Sequence, residues 1–165
     1  MPAAVTPPLD RAWIAAHIPH AGAMCVLDEV VAWDGERIRC TAHSHRDPDN
    51  PLRANGRLAA VSGIEYAAQA MAVHGALAGA AGEAARPRAG FLASVRDVEA
   101  QVARLDDIDG PLSVDAERIG GDGNHLLYRF AVRGGERVLL TGRAAVVLDA
   151  DLDARGPAPT PGACS

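Results

Sequence analysis

The sequence contains no lysine, so all 16 of its basic residues are arginine. Nor is there an excess of positive charge. The net charge is -5 and the isoelectric point lies near 5.6, which argues against nucleic acid, whose phosphates need a basic face. Aromatic residues make up only 4% of a chain that is 48% hydrophobic, so the core is to be built from Ala, Val and Leu. Cysteine is scarce. Cys25, Cys40 and Cys164 are odd in number and widely spaced, giving neither a disulfide framework nor paired metal ligands. A reducing, cytoplasmic setting is the expectation. The Pro-containing start lacks a basic segment followed by an apolar stretch, so no secretory signal is expected. A Gly-x-Ser-x-Gly elbow, a phosphate-binding glycine loop and a dinucleotide fingerprint are all missing.

The 165 residues suit one domain. Its expected limits are 9–148, between a flexible tail at 1–8 and a Pro-rich disordered tail at 149–165. A short helical stretch from Leu9 to His17 ends before Pro19, which disfavours helix at Ile18. Two strands, Met24 to Ala32 and Ile38 to Ser44, flank the turn residues Asp34, Gly35 and Glu36. A loop rich in Asp, Pro and Asn covers Arg46 to Arg57. Ser62, with Glu65 three positions on, forms a capping-box pattern ahead of a long Ala-rich helix that Gly79 and Gly82 are expected to stop. Four more strands follow: Gly90 to Gln101, Leu112 to Ile119, His125 to Val132 and Arg137 to Leu148. The turns Asp109-Gly110-Pro111, Gly120 to Gly123 and Gly134-Gly135 suit antiparallel hairpins.

From Ile64 to Gly82 the only charge is Glu65. The segment is mostly Ala and Gly, with Gln69 and His74 inside, so burial in protein is expected rather than a membrane span. A helix with no polar face must be covered on every side. A curved antiparallel sheet wrapped around it does this, with a second copy covering what remains. That is an α+β hotdog fold, and it predicts a dimer.

Glu65 is either a capping-box glutamate or a general acid or base, since desolvation and the helix dipole act on such a carboxylate in opposite directions. Gln69 lies one turn on, on the same helix face, where its amide either orients the carboxylate or satisfies a core carbonyl. His74 is rotated away and reads as structural. His20, between Pro19 and the flexible Ala21-Gly22-Ala23, has the titration range for proton transfer near neutrality. His43 and His45 alternate at a strand end, yet no further ligand follows at metal spacing, so no metal is expected. His17 and His125 read as surface residues.

Two segments together resemble the hotdog 3-hydroxyacyl-[acyl carrier protein] dehydratases. Ile18-Pro19-His20-Ala21-Gly22-Ala23-Met24-Cys25-Val26-Leu27-Asp28-Glu29-Val30 is similar to that family's opening Leu-Pro-His stretch with its Leu-Leu-Asp-Glu-Val. Gly63-Ile64-Glu65-Tyr66-Ala67-Ala68-Gln69-Ala70 is similar to its central-helix Glu-x-x-Ala-Gln signature. The nearest resemblance is to the aryl-polyene-type (ApeP-like) branch. One departure stands out: housekeeping members carry a catalytic histidine in a Gly-His-Phe-Pro-Gly loop shortly before the helix glutamate. Here Asn50-Pro51-Leu52-Arg53 occupies that stretch.

The resemblance implies dehydration of 3-hydroxyacyl thioesters to trans-2-enoyl thioesters, in fatty acid or aryl polyene biosynthesis. His20 and Glu65 would be catalytic, with Gln69 orienting Glu65 and amides near Ser62, Gly63 and Ile64 polarising the thioester carbonyl. The implied partner is an acyl carrier protein, docked through Arg86, Arg88 and Arg96. A homodimer is expected, or a pairing with another hotdog subunit. Two alternatives are a hotdog thioesterase, in which Glu65 activates water, and a non-catalytic subunit that partners another dehydratase.

Overall fold

The computed structural model describes residues 7–19, 22–81 and 90–148. Helix α1 spans Arg11–His17. The Asp10 side chain caps it by accepting the Trp13 amide at 2.9 Å, and it ends at Ile18, the residue before Pro19. Strands β1 (Glu29–Trp33) and β2 (Arg37–Ala42) pair antiparallel around the Asp34 turn. There the Asp34 carboxylate accepts the amides of Glu36 and Arg37.

Helix α2 spans Gly63–Ala81. Four strands follow: β3 (Gly90–Ala100), β4 (Leu112–Gly121), β5 (His125–Gly134) and β6 (Arg137–Leu148). All pairings are antiparallel, and the sheet order is β1-β2-β4-β5-β6-β3.

Period-2 burial along β4 and β5 turns Leu112, Val114 and Ala116, and then Leu126, Tyr128, Phe130 and Val132, towards α2. The helix packs on β2, β4 and β5. Gly63 permits its closest approach to the sheet, because a Cβ there would lie 2.7 Å from Leu140 Cδ2. This is the curved sheet around a central helix expected from the sequence. Among the described residues, no helix is long and apolar enough to cross a membrane.

Three local expectations need correction. Asp109-Gly110-Pro111 does not close a hairpin, because β3 pairs with β6 and β4 with β2 and β5. Residues 101–111 are instead a connection that pairs with the segment just ahead of α2. Along it, Ala60 donates to Ala103 O at 3.1 Å and Leu105 to Leu58 O at 2.8 Å. Second, α2 continues through Gly79. Third, the helix does not open on a Ser62 cap. A 3-10 turn, Ala60–Ser62, leads straight into Gly63, held in place by the bonds to the 101–111 connection.

The enclosure of α2 is incomplete. Ile64, Glu65, Ala68, Ala72 and Gly75 are half-buried and Ala78 is exposed, at the three- and four-residue spacing of one helix face. Strand β3 is likewise open on its outer edge, with Phe91, Leu92 and Val98 exposed. Residues 1–6 of the tail expected at 1–8, and all of the tail expected at 149–165, lie outside the described residues.

Candidate active site

Glu65 is the one charged side chain of α2, and it stands at the N-terminal end of the open face. Gln69, fully buried one turn on, donates from Nε2 to Glu65 Oε1 at 2.9 Å and to Met24 O at 2.7 Å. Its Oε1 accepts the Val26 amide at 2.9 Å. One amide therefore ties the carboxylate to the Met24–Val26 backbone, using its donors and its acceptor together. Gln69 thus makes both hydrogen bonds that the sequence offered as alternatives, one to the Glu65 carboxylate and one to a backbone carbonyl.

His20 and Ala21 lie outside the described residues. The chain from Gly22 onward is tethered twice. Gly22, at φ +58, accepts Arg11 Nη2 and the Cys25 amide, each at 3.1 Å. Two residues later comes Met24, bound to Gln69. Arg11 also lies 3.7 Å from Asp28 Oδ1.

A second polar layer, which the spacing of the sequence did not reveal, lies beneath this one. Ser44 Oγ donates to Val26 O at 2.7 Å and meets Tyr66 OH at 2.8 Å. Asn50 Nδ2 donates to Tyr66 OH at 3.1 Å and to Ser44 O at 2.8 Å. Burial pushes the Tyr66 phenol up, against its hydrogen bonds with Ser44 and Asn50. The available signal was Tyr66 beside Glu65, facing a loop with Asn50 before Pro51. The loop is closed below by Asp106, which accepts the Leu58 amide and pairs with Arg104. That pairing holds its carboxyl well below the ordinary carboxylate range.

Ser62 and Gly63 donate their amides within the 3-10 turn, to Ala59 O and to Ala60 and Val61 O respectively. Ile64 follows them, half-buried. His43 and His45 have opposite surroundings. The His43 side chain is exposed and holds Asp28 Oδ2 through its ring Nδ1 and its backbone amide, both at 2.7 Å. His45 is fully buried against Ile108 O, and desolvation lowers its pKa. His74 is enclosed between Tyr128 OH at 2.8 Å and Asp34 O at 2.9 Å, also lowered by desolvation. His17 stacks on Trp13 at the surface, and His125 is exposed. Arg96 lies exposed on β3, whereas Arg86 and Arg88 fall outside the described residues.

A fully buried glutamine holding a lone helix carboxylate against a distant backbone segment is a built arrangement rather than a chance cap. Comparison gives it a family. Residues 12–155 match the model of the ApeP dehydratase, ApeP-like. The chain belongs to the ApeP-like dehydratase family.

No curated protein matches the sequence. Among solved structures, the dehydratase heterocomplex ApeI:P from Xenorhabdus doucetiae contains a similar chain. It has 21% identity and a TM-score of 0.73, and covers 86% of this chain and 95% of that one. A thioesterase from Haemophilus influenzae has 14% identity and a TM-score of 0.55, covering 73% and 76%. A hypothetical thioesterase with coenzyme A from Streptococcus pneumoniae has 13% identity and a TM-score of 0.51, covering 73% and 84%. These likenesses establish the hotdog fold for this ApeP-like chain.

Proposed function

We propose that this ApeP-like chain dehydrates 3-hydroxyacyl thioesters carried on an acyl carrier protein, in fatty acid or aryl polyene synthesis in the cytoplasm. The observation that carries the reading is the Gln69 amide, which joins the Glu65 carboxylate to the chain just past Pro19-His20. In the proposed step, His20 takes the C2 proton and Glu65 protonates the departing C3 hydroxyl. Water leaves and the C2–C3 double bond forms. The positive end of the α2 dipole, at Ile64, polarises the thioester carbonyl and so acidifies C2. Acid, base and carbonyl polarisation suffice for this elimination without a cofactor.

The open face of α2 and the free edge of β3 support an assembly in which a second hotdog subunit covers both. A further copy of this chain or a different hotdog subunit would serve. Three readings are then to be separated. Incubation with a 3-hydroxyacyl thioester and a thiol reagent, with the products followed by mass spectrometry, distinguishes them. Dehydration gives the enoyl thioester with no free thiol. Thiol release without enoyl product replaces the reading by the thioesterase one, in which Glu65 activates water. Tight binding with neither product leaves the non-catalytic subunit, which the stretch Asn50 to Arg53, without a histidine, also fits. Near-native rates in both His20→Ala and Glu65→Gln would overturn the residue assignment.

A further inference from the structure

The face of the sheet turned away from α2 carries its charges in cross-strand rows. One row runs Arg37, Glu117, Arg129, Arg143 and Arg96 over β2, β4, β5, β6 and β3, each residue directly opposite the next. Its first part alternates in sign, and Glu117 serves Arg37 at 3.1 Å and Arg129 at 3.9 Å. The adjacent row is similarly balanced, since Asp115 serves Arg39 and Arg133.

Towards the β3 edge the alternation stops. Arg129, Arg143 and Arg96 stand side by side on three neighbouring strands, although like charges directly opposite one another repel. Asp97, at φ +54 in a bulge of β3, comes within 3.8 Å of Arg143. Arg96 makes no ion pair among the described residues. Beside these arginines lies a depression of about 500 Å³ floored by Leu127, Ile119 and Ala145. Leu127 and Ile119 are 45% and 39% exposed.

A cluster of cations next to an exposed apolar hollow, on a chain of net charge -5, asks for an anionic partner with an apolar side chain. Neighbouring strands are about 4.8 Å apart, so three in-register arginines repeat at nearly the 5.4 Å pitch of an α-helix. Carboxylates at i, i+4 and i+7 on a helix laid across the strands would meet one arginine each. A phosphate backbone, which needs an extended basic face, fits poorly, because Asp97, Glu99 and Glu117 confine the basic surface to this one short row, the length of about two helical turns.

We propose that this row, Arg129–Arg143–Arg96 with the Leu127–Ile119 hollow, is where an acidic helix of the acyl carrier protein docks. The proposal rests on the reading that the substrate is carrier-borne, and it places docking on the outer sheet face.

The test compares one 3-hydroxyacyl chain presented on carrier protein and on pantetheine, with wild type and the double variant Arg96→Glu/Arg143→Glu. KM for the carrier-borne substrate rises about tenfold or more, while kcat/KM on the pantetheine thioester stays within about twofold. The milder Arg96→Gln/Arg143→Gln, which removes a like-charge contact and so spares the fold, shifts KM the same way by less. Unchanged carrier kinetics, or an equal fall on both substrates, overturns the proposal. If wild type turns over neither substrate, the dehydratase reading fails, and NMR titration of labelled carrier protein decides docking alone. Shifts seen with wild type and lost in the double variant uphold the surface. No shifts with wild type, or equal shifts with both, overturn it.

Discussion

The two polar stations on α2 differ in how far they are closed. His74, in the second half of the helix, has both ring nitrogens occupied and is nearly inaccessible. Glu65, at the start, is held by a buried partner yet stays half-buried at the end of the open face. A polar group sealed on all sides contributes stability and nothing else. One fixed from behind and open in front is placed to meet a substrate. On the proposed reading, the helix divides its work between structure and chemistry within nine residues of each other.

The sharpest way to break this contrast is Glu65→Gln. Turnover is expected to fall by about 10²–10⁴-fold, the usual contribution of a positioned general acid, with an unchanged thermal midpoint. A midpoint that fell along with activity would make Glu65 a structural residue like His74. His74→Leu should do the reverse. It strips the buried Tyr128 hydroxyl of its partner at a cost of about 1–3 kcal/mol in urea unfolding, with turnover altered less than twofold. Gln69→Leu belongs to both classes. It leaves Met24 O and Val26 N–H unpaired, at about 1–3 kcal/mol each, and releases Glu65, so stability and kcat should drop together while KM moves little.

The smallest effect is on pH. His45 and His74 are both held below the ordinary imidazole value by desolvation. The unfolded chain therefore takes up protons that the folded chain refuses as pH falls below about 6.5. Stability is full above that value and declines below it, by at most about 1.4 kcal/mol per pH unit for each histidine. His74→Leu should flatten the decline between pH 6.5 and 5, as read from urea midpoints, whereas Glu65→Gln should leave the imidazole contribution in place.

Much of this was legible from local pattern. β6 runs over the expected Arg137 to Leu148, and the β4–β5 and β5–β6 hairpins follow their glycine turns. The i, i+4 spacing of Glu65 and Gln69 placed both side chains on one face. What failed depended on distant partners. No turn residue announces that β3 passes over β4 and β5 to lie beside β6. The capping-box pattern at Ser62 lost to a 3-10 turn because Ala60 is bonded to Ala103, 43 residues away. The Ser44–Tyr66–Asn50 layer joins a strand end, a helix and a loop, which no spacing rule connects. The second half of the Gln69 clamp is of the same kind, although resemblance had already paired the two segments it joins.

The sheet order also governs how the chain is made. β3 emerges from the ribosome long before β6, its one neighbour among the described strands and the last of them to be made. Until then Phe91, Leu92 and Val98 form one side of an edge with nothing to pair with, a template for joining other nascent chains. Arg96, Asp97 and Glu99 interrupt that stretch, and the bulge at Asp97 bends it. Such charges act as gatekeepers during synthesis, guarding the strand through the interval before its neighbour arrives.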